Sequence, residues 1–402
     1  MRMPLRQAIL LLPLGLVMAC ATFSPPASRS TPPASATAAP TTPAASAAAP
    51  TATAAATATA NAKSTATASA AATRAATPAA TIAAGPKQTR GVFIVTSHNV
   101  AIRPATYANP AVDGIVVRTF WSSVQPAPDH FDWSFIDSQV QAASASGKRV
   151  ILVVLPGAFT PQWALQGVPT AQFVVDYGFV QGTTVTLPMP WDATYLNRWF
   201  AFVQALGQRY ESNAAVVNVA ADGPTYISEE MSLPDDPAAV ARWSQLGYTQ
   251  SKYESAWQQT LAAYTQAFPA TPIALTFYPG LPIPDASAKT ATRTDLASYA
   301  FSHFGRHVTF QENGLSARKA AQSLGYDLVQ QYSGQTTTGF EMGTSATQKP
   351  DQMGGPTAEA ALQASVDLGL KAGVNFLEIY EPDELNPALQ PILKSAHASL
   401  AP

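Results

Sequence analysis

The stretch Thr336–Thr344, TTTGFEMGT, places a glutamate inside a run of strand-forming residues. Thr338 and Phe340 alternate with Thr337, Gly339 and Glu341, so a strand that turns Phe340 toward one layer turns Glu341 toward the other. A carboxylate on an otherwise apolar strand is costly to bury unless it has partners or chemistry to perform. A structural salt bridge to an arginine would satisfy the same stretch, so the remaining residues have to decide. The same alternation brings further polar groups to the face shared with Glu341. They are Arg118 in GIVVRTFW, Asn218 and Asp222 in AAVVNVAADG, Tyr278 in PIALTFY, Gln311 and Asn313 in HVTFQENG, and Glu378 and Tyr380 in VNFLEIY. Amide, phenol, guanidinium and carboxyl groups on one rim make a polar pocket. Trp121, Trp163 and Trp191 fall in the adjoining loops, where flat apolar faces suit the C–H faces of sugar rings; each is equally accounted for as core.

These residues need elements to hold them. Apolar runs of strand length begin at Gly91, Gly114, Arg149, Ala214, Pro272, His307, Thr336 and Val374, and segments of helical spacing separate most of them. Phe135, Ile136, Val140 and Ala143 mark one helix, and Tyr253, Trp257, Leu261 and Tyr264 another. Between about 158 and 190 the chain leaves this alternation for a small β-excursion. Eight strands alternating with helices predict a (β/α)8 TIM barrel of the α/β class, with polar groups at the C-terminal strand ends as the site. A doubly wound open sheet is the alternative architecture.

The chain has 402 residues, and its composition divides them. Residues 1–19 hold Arg2 and Arg6 before an apolar run too short to span a bilayer, as an export signal does. Val17-Met18-Ala19-Cys20 resembles the lipobox of bacterial lipoproteins, which implies a lipid on Cys20, the chain's single cysteine. Residues 20–86 are almost wholly Ala, Thr, Pro and Ser and read as a disordered tether, on the order of 45 Å end to end as a flexible coil. Residues 87–402 are then the folded domain, exported and held at the outer face of the cell membrane. A formal net charge of −2 gives no basic surface for nucleic acid, and the five histidines form no metal-ligand cluster, so no cofactor or metal is expected.

From Thr119 to Trp163 the sequence is similar to the strand two, helix two, strand three unit of the retaining (β/α)8-barrel glycoside hydrolases, particularly the β-galactosidase-like and cellulase-like branches. The likeness rests on Trp121 after strand two, Phe131-Asp132-Trp133 before the helix and Pro161-Gln162-Trp163 after strand three. The resemblance implies an acid/base glutamate after strand four, one of Glu229 and Glu230, with Glu230 preferred, and a nucleophile, Glu341, ending strand seven. It also implies that Arg118 orients and ionises that nucleophile. Trp121, Trp163, Tyr278, Asn313, Glu378 and Tyr380 are the expected carbohydrate-binding residues. The sequence departs from the family by carrying its glutamate pair several residues beyond strand four, in GPTYISEEM, where such a pair is ordinarily solvated. The reading is therefore a cell-surface glycoside hydrolase; the alternative is a carbohydrate-binding lipoprotein without catalysis.

Overall fold

The structure is a computed structural model describing residues 87–278, 280–318 and 323–401. The proposed signal, Cys20 and the proposed tether lie outside the described residues. Strands β1 (Gly91–Val95), β2 (Gly114–Phe120), β3 (Arg149–Leu155), β6 (Val216–Ala220), β7 (Ile273–Phe277), β8 (Val308–Leu315), β9 (Thr338–Met342) and β10 (Phe376–Tyr380) close a barrel, each pairing in parallel with the next and β10 with β1. The remaining pair, β4 (Thr170–Val174) and β5 (Thr184–Pro188), is an antiparallel hairpin within the excursion after β3. This is the (β/α)8 barrel, and closure removes the open-sheet alternative.

Alternation along the strands divides the core in two. Ile115, Val117, Phe340, Leu377 and Ile379 pack outward with the helices. Phe93, Val95, Val116, Ile151, Val153 and Phe376 fill the barrel. Phe93 meets Phe376 edge-on at 5.9 Å between centroids. Gly339 makes room for that packing, because a Cβ there would lie 2.2 Å from the Phe376 ring. Near the N-terminal end Asn218 donates to Thr309 at 2.9 Å and to Thr89 at 3.1 Å, so this inward amide is structural.

The outer helices carry the expected local signals. Helix Ala193–Tyr210 is capped by Asp192, helix Gln250–Ala267 by Thr249 and helix Ala358–Lys371 by Thr357, each accepting from a first-turn backbone N–H. The helix between β8 and β9 begins at Leu324, with Ser323 as its cap. A further nine-residue helix, Pro237–Gln245, starts where Pro237 follows the capping Asp236.

Candidate active site

At the C-terminal ends of the strands, Glu341 turns inward from β9 and is 4% exposed. Arg118 comes from β2, across the barrel, and is 8% exposed. Its Nη1 lies 3.5 Å from Glu341 Oε1, and its Nη2 lies 3.0 Å from both oxygens of Glu229. Tyr380, at the end of β10, donates its hydroxyl to Glu341 Oε1 at 2.6 Å. Asn313, from β8, donates to Glu229 Oε1 at 3.0 Å and accepts from Gln311 at 2.8 Å. The inward assignments of Arg118, Gln311, Asn313, Glu341, Glu378 and Tyr380 thus converge on one network.

The loop after β6 brings in the glutamate pair. Its backbone joins the neighbouring strand and the segment beyond it: Met231 donates to the Thr276 carbonyl at 2.9 Å and Leu233 to that of Gly280 at 3.0 Å. On its other side Ala158 donates to the Tyr226 carbonyl at 3.0 Å, and Gly157, with φ +53°, allows that approach, since a Cβ would lie 2.4 Å from the same oxygen. The anchoring answers the expectation of a solvated pair: Glu229 is 2% exposed and Glu230 7%. The two have different partners. Glu229 is held by Arg118 and Asn313, whereas Glu230 Oε2 is buried with no hydrogen-bond partner among the described residues.

Charge balance sets the protonation. Asp222, Glu229, Glu341 and Glu378 interact with Arg118, and Glu230 with Glu229 and Glu341; buried together, these carboxyls cannot all ionise against one guanidinium. Burial, then the charge of Glu229, pushes the Glu230 carboxyl up to about 8. Burial also raises Glu341; Arg118 is the largest opposing influence, followed among the opposing ones by the Tyr380 hydroxyl. Asp222 and Glu378 lie well above the ordinary carboxyl range, chiefly through burial and then through neighbouring negative charge. Burial works against the charge of Arg118, but Glu229 and Glu341 hold it protonated.

The aromatic residues differ from expectation. Trp121 is fully buried in the outer core, edge-on to Trp163 at 5.7 Å, with its indole N–H donating to Gln125. It is a packing residue and not a substrate platform, because α-helical Trp121 turns away from the barrel axis into the helical layer. Trp163 packs against the same layer and donates to the Gln125 carbonyl, and Trp191 packs on Trp243 and Tyr248. Tyr278 does face the network: it stacks on Tyr177 at 5.4 Å, and the charge of Glu230 helps to raise its phenol. Glu378, expected to bind substrate, is 1% exposed and lies against Glu341.

Residues not singled out from the sequence supply another aromatic wall. His98 lies between Phe120 and Phe179 at 5.1 and 4.9 Å, and Phe120 stacks on Phe159 at 4.1 Å. Burial, then the charge of Arg118, lowers the imidazole to about 2, so His98 is neutral beside the network. Phe179, between the hairpin strands, keeps 56% of its surface exposed. The aromatic content of the excursion was visible in the sequence, but nothing local shows that its tip reaches a loop following β1.

Residues 110–268 match the family described as Glyco_hydro_42: Beta-galactosidase. That span contains Arg118, Glu229 and Glu230 and ends before Glu341. Among solved structures, the chain is similar to the catalytic domain of beta-amylase from Paenibacillus polymyxa, with 13% identity, 78% of this chain and 98% of that one covered, and a TM-score of 0.53. Endo-glycoceramidase II from Rhodococcus sp. aligns at 16% identity over 76% of this chain and 77% of that one, with a TM-score of 0.45. No curated protein sequence matches the chain at a significant level.

Proposed function

We propose that this chain, a glycoside hydrolase with a (β/α)8 barrel, cleaves an O-glycosidic bond of an oligo- or polysaccharide by a retaining mechanism, with Glu341 as nucleophile and Glu230 as acid/base. The observation that carries the assignment is the unequal environment of the two carboxyls: Glu341 accepts from Arg118 and Tyr380, while Glu230 is buried with one oxygen unpartnered. Ionised Glu341 attacks the anomeric carbon as protonated Glu230 gives its proton to the departing oxygen. The resulting glycosyl ester on Glu341 is then hydrolysed by water that Glu230, now ionised, deprotonates, which restores both groups. Glu229 holds Arg118 in place through both oxygens, and its charge helps to keep the proton on Glu230. Release of reducing sugar from a panel of glycans by the intact chain, abolished in Glu341→Gln, is the expected result. Binding of a glycan without release would favour the carbohydrate-binding alternative.

The wall of His98, Phe120, Phe159 and Phe179 gives the pocket an apolar face suited to a sugar ring beyond the one being cleaved. Phe179→Ala is expected to raise KM for an oligosaccharide by about tenfold, the equivalent of one aromatic contact. Activity on a short aryl glycoside should change little. Equal KM values for variant and parent on both substrates would separate the hairpin from substrate binding.

The placement outside the cell rests on the sequence. The basic and apolar segment before Cys20 supports export and lipidation at that residue. Mass spectrometry of the protein from its native membrane is expected to show a diacylated N-terminal Cys20; a free thiol there would remove the anchor.

A further inference from the structure

Glu378 and Glu341 stand at one level of adjacent parallel strands, with their Cα atoms in register. Both point to the axis, since Phe340, Leu377 and Ile379 occupy the outward positions. Strand spacing therefore holds two carboxyls side by side at about 5 Å between backbones. Their hydrogen bonds are incomplete in matching places. Glu341 Oε1 accepts from Tyr380 at 2.6 Å and meets Arg118 at 3.5 Å, but Oε2 is buried without a donor from the described residues. Glu378 is 1% exposed and interacts with the Gln311 side chain, and its Oε1 is likewise buried without a donor. The two carboxyls also act on one another electrostatically. Two carboxylates in this position would repel, and each would keep an unsatisfied buried oxygen. One proton between them removes both costs.

We propose that Glu378 is a positioning residue that remains protonated and donates a hydrogen bond to Oε2 of Glu341, so that both oxygens of the nucleophile are held. The assignment to Glu341 as nucleophile rests on the function proposed above; the location of the proton does not. Charged or titratable groups face this pair from two other elements, Arg118 on β2 and Glu229 and Glu230 in the loop after β6, and from Tyr380 at the end of β10 itself. Arg118 and Tyr380 both contact Glu341, whereas Glu378 has an amide as its other partner, so the negative charge belongs on Glu341 and the proton on Glu378. Burial and the charge of Glu341 drive Glu378 in the same direction.

Glutamine at position 378 would keep a neutral group with an N–H to donate, whereas leucine would leave Glu341 Oε2 unpaired. The test compares the intact chain with its Glu378→Gln and Glu378→Leu forms. Infrared difference spectra in D2O near pH 7 should show that Glu378→Gln removes one protonated-carboxyl C=O band. The kcat of this variant and the acidic limb of its pH profile should stay within a few-fold of the parent. In Glu378→Leu, kcat should fall by about 10²-fold through misplacement of the nucleophile, and the acidic limb should move to higher pH as Glu341 loses a donor. Loss of a carboxylate band in place of the protonated band in Glu378→Gln would overturn the proposal. So would an equal fall of kcat in the two variants. The infrared result needs no turnover, so it separates failure of this assignment from failure of the catalytic reading. If Glu378→Leu does not fold, Glu378→Gln alone still decides.

Discussion

Replacing Glu341 by Gln is expected to lower kcat by on the order of 10³-fold or more, with the fold retained. The amide is isosteric and can still accept from the Tyr380 hydroxyl, but it cannot form the glycosyl ester. The change also removes one negative charge from a group in which Arg118 faces Glu229 and Glu341 together, so the guanidinium keeps its two-oxygen contact with Glu229. Circular dichroism and thermal unfolding close to the parent would show that chemistry, not folding, was lost. The retaining course makes a second expectation: in Glu341→Ala, added azide should restore turnover of an activated glycoside and yield a glycosyl azide of inverted anomeric configuration. Restored turnover giving no glycosyl azide, or full activity of Glu341→Gln, would remove the nucleophile from this position. In the parent, the acidic limb of the rate profile should lie above the ordinary glutamate value, because burial outweighs Arg118 in setting the Glu341 carboxyl.

Glu230→Gln is expected to reduce hydrolysis of natural glycosides by about 10²–10⁴-fold, because their leaving oxygen departs poorly without a proton. An aryl glycoside whose phenol is a good leaving group should lose much less in its first step. The pH dependence follows from the sign of the shift. Burial and Glu229 raise the Glu230 carboxyl to about 8, so the acid form is present below that pH and is lost as pH rises through it. Activity of the parent should fall on an alkaline limb near this value, and in Glu230→Gln that limb should vanish. An unchanged limb would assign it to another group. The stability linkage has the same direction: a carboxyl raised on folding contributes fully below its unfolded value, near 4.5, and that contribution is lost as pH rises through about 8. Asp222 and Glu378 act in the same sense.

The protein is thus expected to behave oppositely to one stabilised by exposed ion pairs. Such pairs protect carboxylates and weaken in acid, whereas burial in this site favours the neutral form of its acids. Arg118 balances only part of the potential negative charge, and its removal would leave Glu229 and Glu341 facing each other in a site poor in water. The cation therefore belongs to the integrity of the barrel mouth as much as to any reaction there.

What the sequence determined by itself was periodic. Two-residue alternation within GIVVRTF, HVTFQENG and FLEIY decided which side chains enter the barrel, since a pleated strand has no other way to place them. The same alternation, with that of TGFEM, turned Arg118, Asn313, Glu341, Glu378 and Tyr380 toward the barrel axis before any contact was known. The helices were legible for the same reason, with Asp192, Thr249 and Thr357 marking their starts. Local pattern could not determine the residues whose position depends on contacts far along the chain. Glu229 and Glu230 look like a solvated pair, and become buried because Met231 and Leu233 attach their loop to β7 and the segment beyond it while Ala158 holds its other side at Tyr226. Trp121 looks like a rim aromatic, but the short helix it begins turns it into the outer core. Phe179 and His98 are 81 residues apart in sequence (179 − 98) and meet because the hairpin returns over the loop after β1. The carboxyl electrostatics likewise depend on the tertiary structure: four glutamates are identical as sequence, and burial first, then neighbouring negative charge, raises Glu230, Glu378 and Glu341, with Arg118 the largest influence opposing the rise at Glu341.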